Sequence, residues 1–213
     1  MKRLITEETV ITAHNGGKSE IAISKGDIVT PAAYDKIREL RMSIVEGGKI
    51  ESKTAGKEWK PTRVIIGSDH TGFQAKKSLI TYLENAGIEV LDAGTHSETS
   101  CDYPDIAVAV VDGIIRDNFC FGIILDATGV PSAITANRFP GIRAATCYNE
   151  FSAKSARAHN NANILVMGAK TLGDETLKSI LQKFIDTPFE GERHQRRLNK
   201  ITVIEEKLLR LKG

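Results

Sequence analysis

Beyond residue 60 the sequence predicts an α/β fold: five parallel strands in one sheet, covered by helices on both faces. Three observations carry that prediction. Apolar, β-branched runs of strand length recur at 63–67, 88–92, 120–125, 142–147 and 162–168. Helical stretches separate or follow them, at 73–85, 104–117, 132–138, 150–158 and 173–186. One of the strands, in GIILDATG, runs into a polar, Gly-containing turn that opens a helix, the place where α/β sheets put ligand chemistry.

Composition narrows the class further. The 213 residues are 41% hydrophobic and 26% charged, which fits one soluble domain of ordinary size with a small appendage. The longest apolar runs are strand-sized, far short of the roughly 20 residues of a membrane span. Residues 1–60 hold 11 Lys/Arg against 9 Asp/Glu, and the rest of the chain is balanced, so the net charge of +2 offers no basic field for general nucleic-acid binding. MKRLITEETV lacks the apolar core of a secretory signal, and a cytoplasmic setting is expected. Cys101, Cys120 and Cys147 are odd in number and have no metal-ligand spacing, in keeping with a reducing compartment. Cys120 and Cys147 fall at strand-like positions and read as buried thiols.

Taken in order, residues 1–60 form the appendage. Thr6 caps a helix reaching His14, and Asn15–Gly16–Gly17 stops it. Ile21, Ile23 and Ile28 suggest short strands. Thr30 and Pro31 open a second helix to about Arg41, with Pro at the first helical position, where its missing N–H costs nothing. Residues 47–60, GGKIESKTAGKEWK, have the composition of a linker and put a domain boundary near residue 60. Trp59 lies at that boundary and is expected to pack against the body. In helix 73–85, Phe73, Leu79, Ile80 and Leu83 recur every three or four residues, with Lys76 as the polar exception on their face. The last helix, 191–211, carries Leu198, Ile201 and Leu208 on one side, widened by Val203, Ile204 and Leu211. Such a broad apolar surface is expected to pack on a partner subunit; packing on the chain's own sheet is the alternative.

Four polar clusters stand where elements end. They are Ser68–Asp69–His70 with Gly72, Asp126–Ala127–Thr128–Gly129, Arg157–Ala158–His159–Asn160–Asn161, and Arg193–His194–Gln195–Arg196–Arg197. The first two follow strands and share the C-terminal edge of a parallel sheet; the third closes a helix just before the last strand. Each has a plain structural reading: an Asp or Thr cap, a His at a helix C-terminus, a solvated Arg-rich helix start. Together they offer a carboxylate base, a histidine acid/base, backbone donors and forked arginines for a phosphate. That set suits proton transfer next to a carbonyl in a phosphorylated small molecule. His14 and His96 have no such company and read as surface residues.

The motifs GSDHTGFQAKK, DAGTHSETSCDYPD, GIILDATG, ITANRFPGIRAA, SARAHNNANILVMGAK and GERHQRR, in that order, closely resemble the type B ribose-5-phosphate isomerases and the related galactose-6-phosphate isomerase subunits. The resemblance spans about residues 62–205. It implies a Rossmann-like three-layer sandwich, homodimers or homotetramers, no metal or cofactor, and aldose–ketose interconversion through an enediolate, with ribose 5-phosphate as the first substrate to expect. By motif, Asp69 and His70 match the pair lining the sugar and phosphate site, and Asp102 and Tyr103 the Asp-Tyr-Pro motif near the substrate. Thr128 and His159 match the pair implied in ring opening, and Asn160 the residue beside that histidine. Arg193 and Arg197 match phosphate-binding arginines that reach a neighbouring subunit's site, and Lys170 stands where some members carry another. Ala127 and Gly129 belong to the turn whose N–H groups serve the enediolate.

The opening stretch departs from the family. Many members have Cys-Gly-Thr-Gly-x-Gly where this chain has Asp126-Ala127-Thr128-Gly129-Val130-Pro131. Neither the proton-shuttling Cys nor the Glu that others place at the position of Ser132 is present. Asp126 is expected to be the base in their stead. The alternative is a capped turn in an impaired or partner-dependent chain, and the Asp-Ala pair resembles the A subunit of galactose-6-phosphate isomerase. Pro131 has no N–H, which removes one donor. Finally, LIT…AH…G…IVTPAA in residues 1–60 is similar to N-terminal segments of some bacterial microcompartment enzymes. That likeness implies docking to a shell or enzyme partner; a stabilising extension is the alternative.

Overall fold

The computed structural model describes residues 4–23, 27–40, 42–46, 61–117, 119 and 121–211. The linker at 47–60, Trp59 and Cys120 lie outside the described residues. The chain divides into two compact units, Met1–Glu58 and Trp59–Gly213.

The first unit repeats one small motif. Strand β1 (Leu4–Ile5), helix α1 (Glu7–Asn15) and strand β2 (Glu20–Ile23) are followed by β3 (Ile28–Val29), α2 (Pro31–Glu39) and β4 (Ser43–Glu46). β1 pairs with β3 and β2 with β4, both in parallel, so the two β-α-β halves interlock. Each helix is capped by a threonine: Thr6 accepts the Thr9 N–H in a reciprocal capping box, and Thr30 accepts the Ala33 N–H at 3.2 Å. Ile5, Val10, Ile21, Ala33, Ile37 and Met42 close a core of their own. The sequence predicts both helices and the strands around Ile21 and Ile28. β1 and β4 are not expected from it, because runs of two to four residues carry too little periodicity.

In the second unit the strands are β5 (Arg63–Ser68), β6 (Glu89–Asp92), β7 (Phe121–Asp126), β8 (Ala144–Thr146) and β9 (Ile164–Gly168). They form one parallel sheet in the order β6-β5-β7-β9-β8. The helices are α3 (Phe73–Asn85), α4 (Tyr103–Arg116), α5 (Val130–Ala136), α6 (Glu150–Asn160), α7 (Asp174–Asp186) and α8 (Glu192–Arg210). Strand side chains alternate between two cores. Val64, Ile66, Ile123, Leu125, Leu165 and Met167 meet α3, α6 and α7 on one face. Ile65, Ile124, Ile164 and Val166 meet α4 and α5 on the other. Burial on both faces is why these strands read as unbroken apolar runs. Each fully buried Ile or Leu contributes about 1.5–3 kcal/mol.

Some bounds differ from the sequence reading. β8 is only Ala144–Thr146, shorter than 142–147. α5 starts at Val130, two residues early, because Pro131 brings a helical φ to the first turn. His96 is exposed, as expected, with its Nδ1 3.6 Å from an Asp92 oxygen. Lys76 is fully buried on its apolar face, and its amine donates to Asp92 and, at 2.6 Å, to the Thr95 carbonyl. Cys147 is buried, as expected. On α8, Leu198 is buried, while Ile201, Val203, Ile204, Leu208 and Leu211 are exposed. No described helix is long and apolar enough to cross a membrane.

The topology places the crevice. After β5 the chain builds β6 on one side, then returns to lay β7 on the other. The C-terminal ends of β5 and β7 therefore flank the switch point, where open α/β sheets bind ligands.

Candidate active site

Two adjacent strands end in the same four-residue device. After β5 comes Asp69-His70-Thr71-Gly72; after β7 comes Asp126-Ala127-Thr128-Gly129. In the first, Asp69 Oδ1 accepts the Thr71 N–H (2.8 Å), the Thr71 hydroxyl (2.6 Å) and the Gly72 N–H (3.2 Å). In the second, Asp126 Oδ1 accepts the Thr128 N–H (2.8 Å), the Thr128 hydroxyl (3.5 Å) and the Gly129 N–H (2.5 Å). Asp126 goes further: its Oδ2 accepts the Ser132 N–H at 3.1 Å. The parity that turns Ile124 toward α4 and α5 turns Asp126 the same way, toward the start of α5. Its side chain is 1% exposed. The repeated Asp-x-Thr-Gly is legible in the sequence and is the signal that would have identified both caps.

The second turn is tightly walled. Gly129 has φ +81°, and a Cβ there would lie 2.8 Å from Thr146 Cγ2. Thr146 donates its hydroxyl to the Gly129 carbonyl, and Tyr148 its phenol to the Thr128 carbonyl. From below, the Lys170 N–H bonds the Ala127 carbonyl at 3.0 Å, which ties the start of the β9–α7 loop to the turn. Beside the first turn, His70 Nδ1 accepts the Cys101 N–H at 3.4 Å. An accepting Nδ1 leaves the ring proton on Nε2, free to donate. Asp102 then stands at the N-cap of α4, and Tyr103 begins that helix, half-exposed.

The remaining predicted residues gather at the opposite edge. α6 starts beyond the C-terminal end of β8 and runs back, so His159 and Asn160, in its last turn, lie where β9 begins. Eleven residues of helix span about 16 Å. Here the His159 and His194 rings stack at 4.4 Å, 8° from parallel. A Glu190 oxygen lies 3.7 Å from one Nε2 and 3.6 Å from the other. Arg193 Nε donates to His194 Nε2 at 3.3 Å, and the Ser155 hydroxyl is 3.3 Å from His159 Nδ1. Arg197 lies one turn further along α8. Burial pushes His194 below its ordinary value, and the charges of His159, Arg193 and Arg197 act in the same direction against Glu190. The buried Arg157 braces this corner. It donates to Asn161 Oδ1 (2.8 Å) and the Ala162 carbonyl (2.7 Å), with its guanidinium 4.4 Å from the Phe121 ring. Burial lowers its value to about 10, which leaves it charged at neutral pH.

Within one chain, therefore, Asp69, His70, Tyr103, Asp126, Ala127, Thr128, Gly129 and Lys170 belong to the C-terminal edge. His159, Asn160, Arg193 and Arg197 belong to the N-terminal edge, and His159 does not meet Thr128. Glu190 and Tyr148 carried no signal in the sequence, since each is a single polar residue in a loop. The donor atoms of His159, Glu190 and His194 lie within 4.8 Å of one another, a spacing a cation could use. The parallel rings aim their lone pairs side by side rather than at one point, and Arg193 occupies that of His194; the trio is a stacked pair of rings with a carboxylate beside it.

Comparison with known proteins gives one consistent result. The family model for ribose/galactose isomerases matches residues 64–201. A protein of Rickettsia bellii, named only as far as a sugar phosphate isomerase, is 49% identical over 138 residues, which cover 65% of this chain and 96% of that protein. Ribose-5-phosphate isomerase B of Escherichia coli is 38% identical over 145 residues, 68% of this chain and 97% of that protein. Among solved structures, ribose-5-phosphate isomerase B from Mycoplasma genitalium, with bound ribulose-5-phosphate, superposes with a TM-score of 0.65 at 36% identity, covering 68% of this chain and 96% of that one.

Proposed function

The chain belongs to the ribose/galactose isomerase family of sugar-phosphate isomerases, and we propose that it interconverts ribose 5-phosphate and ribulose 5-phosphate through an enediolate. The observation that carries this reading is the pair of Asp-x-Thr-Gly turns at the switch point, beside His70, whose Nδ1 accepts the Cys101 N–H. The ribulose-5-phosphate held by the Mycoplasma relative supports the choice of sugar.

The site in this reading is shared between two copies in a homodimer or homotetramer. One copy supplies the C-terminal edge: Asp69, His70, Tyr103, Lys170 and the 126–132 turn. The other supplies His159, Asn160, Arg193 and Arg197. His159 with Thr128 opens the sugar ring, Asp126 moves the proton between carbons 1 and 2, and His70 with the two arginines holds the phosphate. Two facts support the sharing. The required groups sit at opposite edges of one sheet, and the exposed Ile201, Val203, Ile204 and Leu208 of α8 give a second copy an apolar face to cover.

One observation favours a second reading. Both Asp126 oxygens already accept backbone N–H groups, and each donated N–H occupies a lone pair that would otherwise take the substrate proton. In that reading the chain binds sugar phosphate and needs a different partner subunit for turnover. Purified protein, incubated with ribose 5-phosphate and assayed for ribulose 5-phosphate beside Asp126→Asn, separates the two. Asn keeps an Oδ1 for the Thr128 and Gly129 N–H groups but turns an NH2 toward the Ser132 N–H, so the melting temperature of the variant is measured beside its kcat. A proton-shuttling Asp126 predicts a loss of about 100-fold or more in kcat; full activity removes it from the mechanism, and binding without turnover by the wild type favours the second reading.

For residues 1–60 we propose a docking module for a microcompartment shell or enzyme partner, with a stabilising extension as the alternative; the core that closes within the first unit is in keeping with a separate module. Deleting them should leave isomerase assembly intact and change co-localisation.

A further inference from the structure

Ser132 is 1% exposed, and its hydroxyl has no hydrogen-bond partner among the described residues. An unpaired buried hydroxyl is costly, so it is retained where something not yet in place will bond it. Its own N–H is fixed on Asp126 Oδ2 at 3.1 Å, which puts this residue at the carboxylate's far oxygen. Three further amides of the turn are engaged. The Thr128 and Gly129 N–H groups go to Asp126 Oδ1, and the Val130 N–H goes to Thr128 Oγ1 at 3.3 Å. Pro131 has no N–H. An oxygen developing negative charge beside this turn thus finds the Thr128, Gly129, Val130 and Ser132 amides taken by the side chains of Asp126 and Thr128.

The geometry points to Ser132 as a further catalytic residue: its Oγ–H donates to the carbonyl oxygen of the open-chain sugar phosphate as that oxygen becomes the enediolate oxygen. This rests on the isomerase reading above. The Ser132 Oγ is the one buried side-chain hydroxyl of this turn without a partner among the described residues. Ser68 is likewise buried with an unpartnered hydroxyl, but its Cβ packs on the α3 side, 3.1 Å from where a Gly72 side chain would begin, away from Asp126.

Ser132→Ala tests the assignment, because removing an unpaired buried hydroxyl does not weaken the fold. The expected result is a kcat lower by about 100-fold, the scale of one oxyanion donor, with an unchanged or higher melting temperature. A kcat within about twofold of wild type overturns the assignment. So does a melting temperature that falls along with activity, since the hydroxyl would then have a structural partner. If the wild type binds ribose 5-phosphate by calorimetry without converting it, the readout is affinity: a tenfold or greater loss in Ser132→Ala supports contact, and an equal affinity overturns it. A wild type that neither binds nor converts the sugar phosphate overturns the functional reading itself, whereas turnover unaffected in Ser132→Ala overturns only the role of Ser132.

Discussion

The two edges of the sheet are built by different means. At the C-terminal edge, polar groups come from turns, and each turn satisfies itself: Asp69 and Asp126 both bond the N–H groups of their own next residues. At the N-terminal edge they come from the end of α6 and the start of α8, and side chains meet side chains: His159 on His194 across the two helices, Arg193 on His194 within α8, and Arg157 on Asn161 at the end of α6. The first edge is thus local in sequence and rigid. The second depends on how two helices and the 187–191 connection come together. A parallel sheet cannot bring both edges to one substrate within a chain, and that separation is the reason to read the site as shared.

The most direct way to break this division is to damage each edge in a different copy. His159→Ala and Thr128→Ala should each lower kcat by about 100-fold or more. Mixed after denaturation and refolded together, they should regain about a quarter of wild-type activity, because half of random dimers are hybrid and each hybrid has one intact site. An activity no higher than the mean of the two variants would mean that one chain houses the whole site.

A second prediction concerns the rigidity of the C-terminal edge. Lys76 holds Asp92 and the Thr95 carbonyl from beneath, and the Thr95 N–H in turn bonds the Ser68 carbonyl at 2.7 Å, next to Asp69. Lys76→Met keeps the stem and removes the charge. Urea unfolding should show a loss of about 2–4 kcal/mol, toward the low end for a broken buried pair because Asp92 is partly exposed. An equal lesion at the other edge, such as Glu190→Gln, should cost less, since Glu190 is half-exposed to solvent and screening. If the two variants are equally stable, the first edge is no more rigid than the second.

The same contrast decides what a sequence reader can see. Strands, helices and both strand-end turns are legible because their determinants are contiguous: apolar runs, a Pro in the first turn of α5, a repeated Asp-x-Thr-Gly. The membership of His159, Asn160, Arg193 and Arg197 in one corner is not, because it follows from where α7 delivers the chain. Their roles come from the motif resemblance instead. The occupancy of Asp126 was only half visible. A carboxylate at a strand end reads equally as base or cap, and the Ser132 N–H that takes its second oxygen lies six residues on, past Pro131. Lys76 is the opposite case. It stands out as the exception on an apolar face, and its partners Asp92, at the end of β6, and Thr95, just beyond it, lie 16 to 19 residues away.

The smallest effect separates the edges by pH. His194 is buried among the charges of Arg193, Arg197 and His159, and its folded value lies below its unfolded one. The unfolded chain therefore binds the proton first as pH falls. The stabilising contribution of neutral His194 is fully present above about 6.5, the unfolded value, and is lost as pH drops through the lower folded value. Melting temperatures of the wild type should fall between pH 7.5 and pH 5.5, and His194→Asn should reduce that fall. The other groups that face this ring are Glu190, whose charge opposes the shift, and the half-exposed His159. If His194→Asn keeps the full wild-type pH dependence, the titrating group lies elsewhere, and the N-terminal edge is no more sensitive to protons than the capped turns of the C-terminal one.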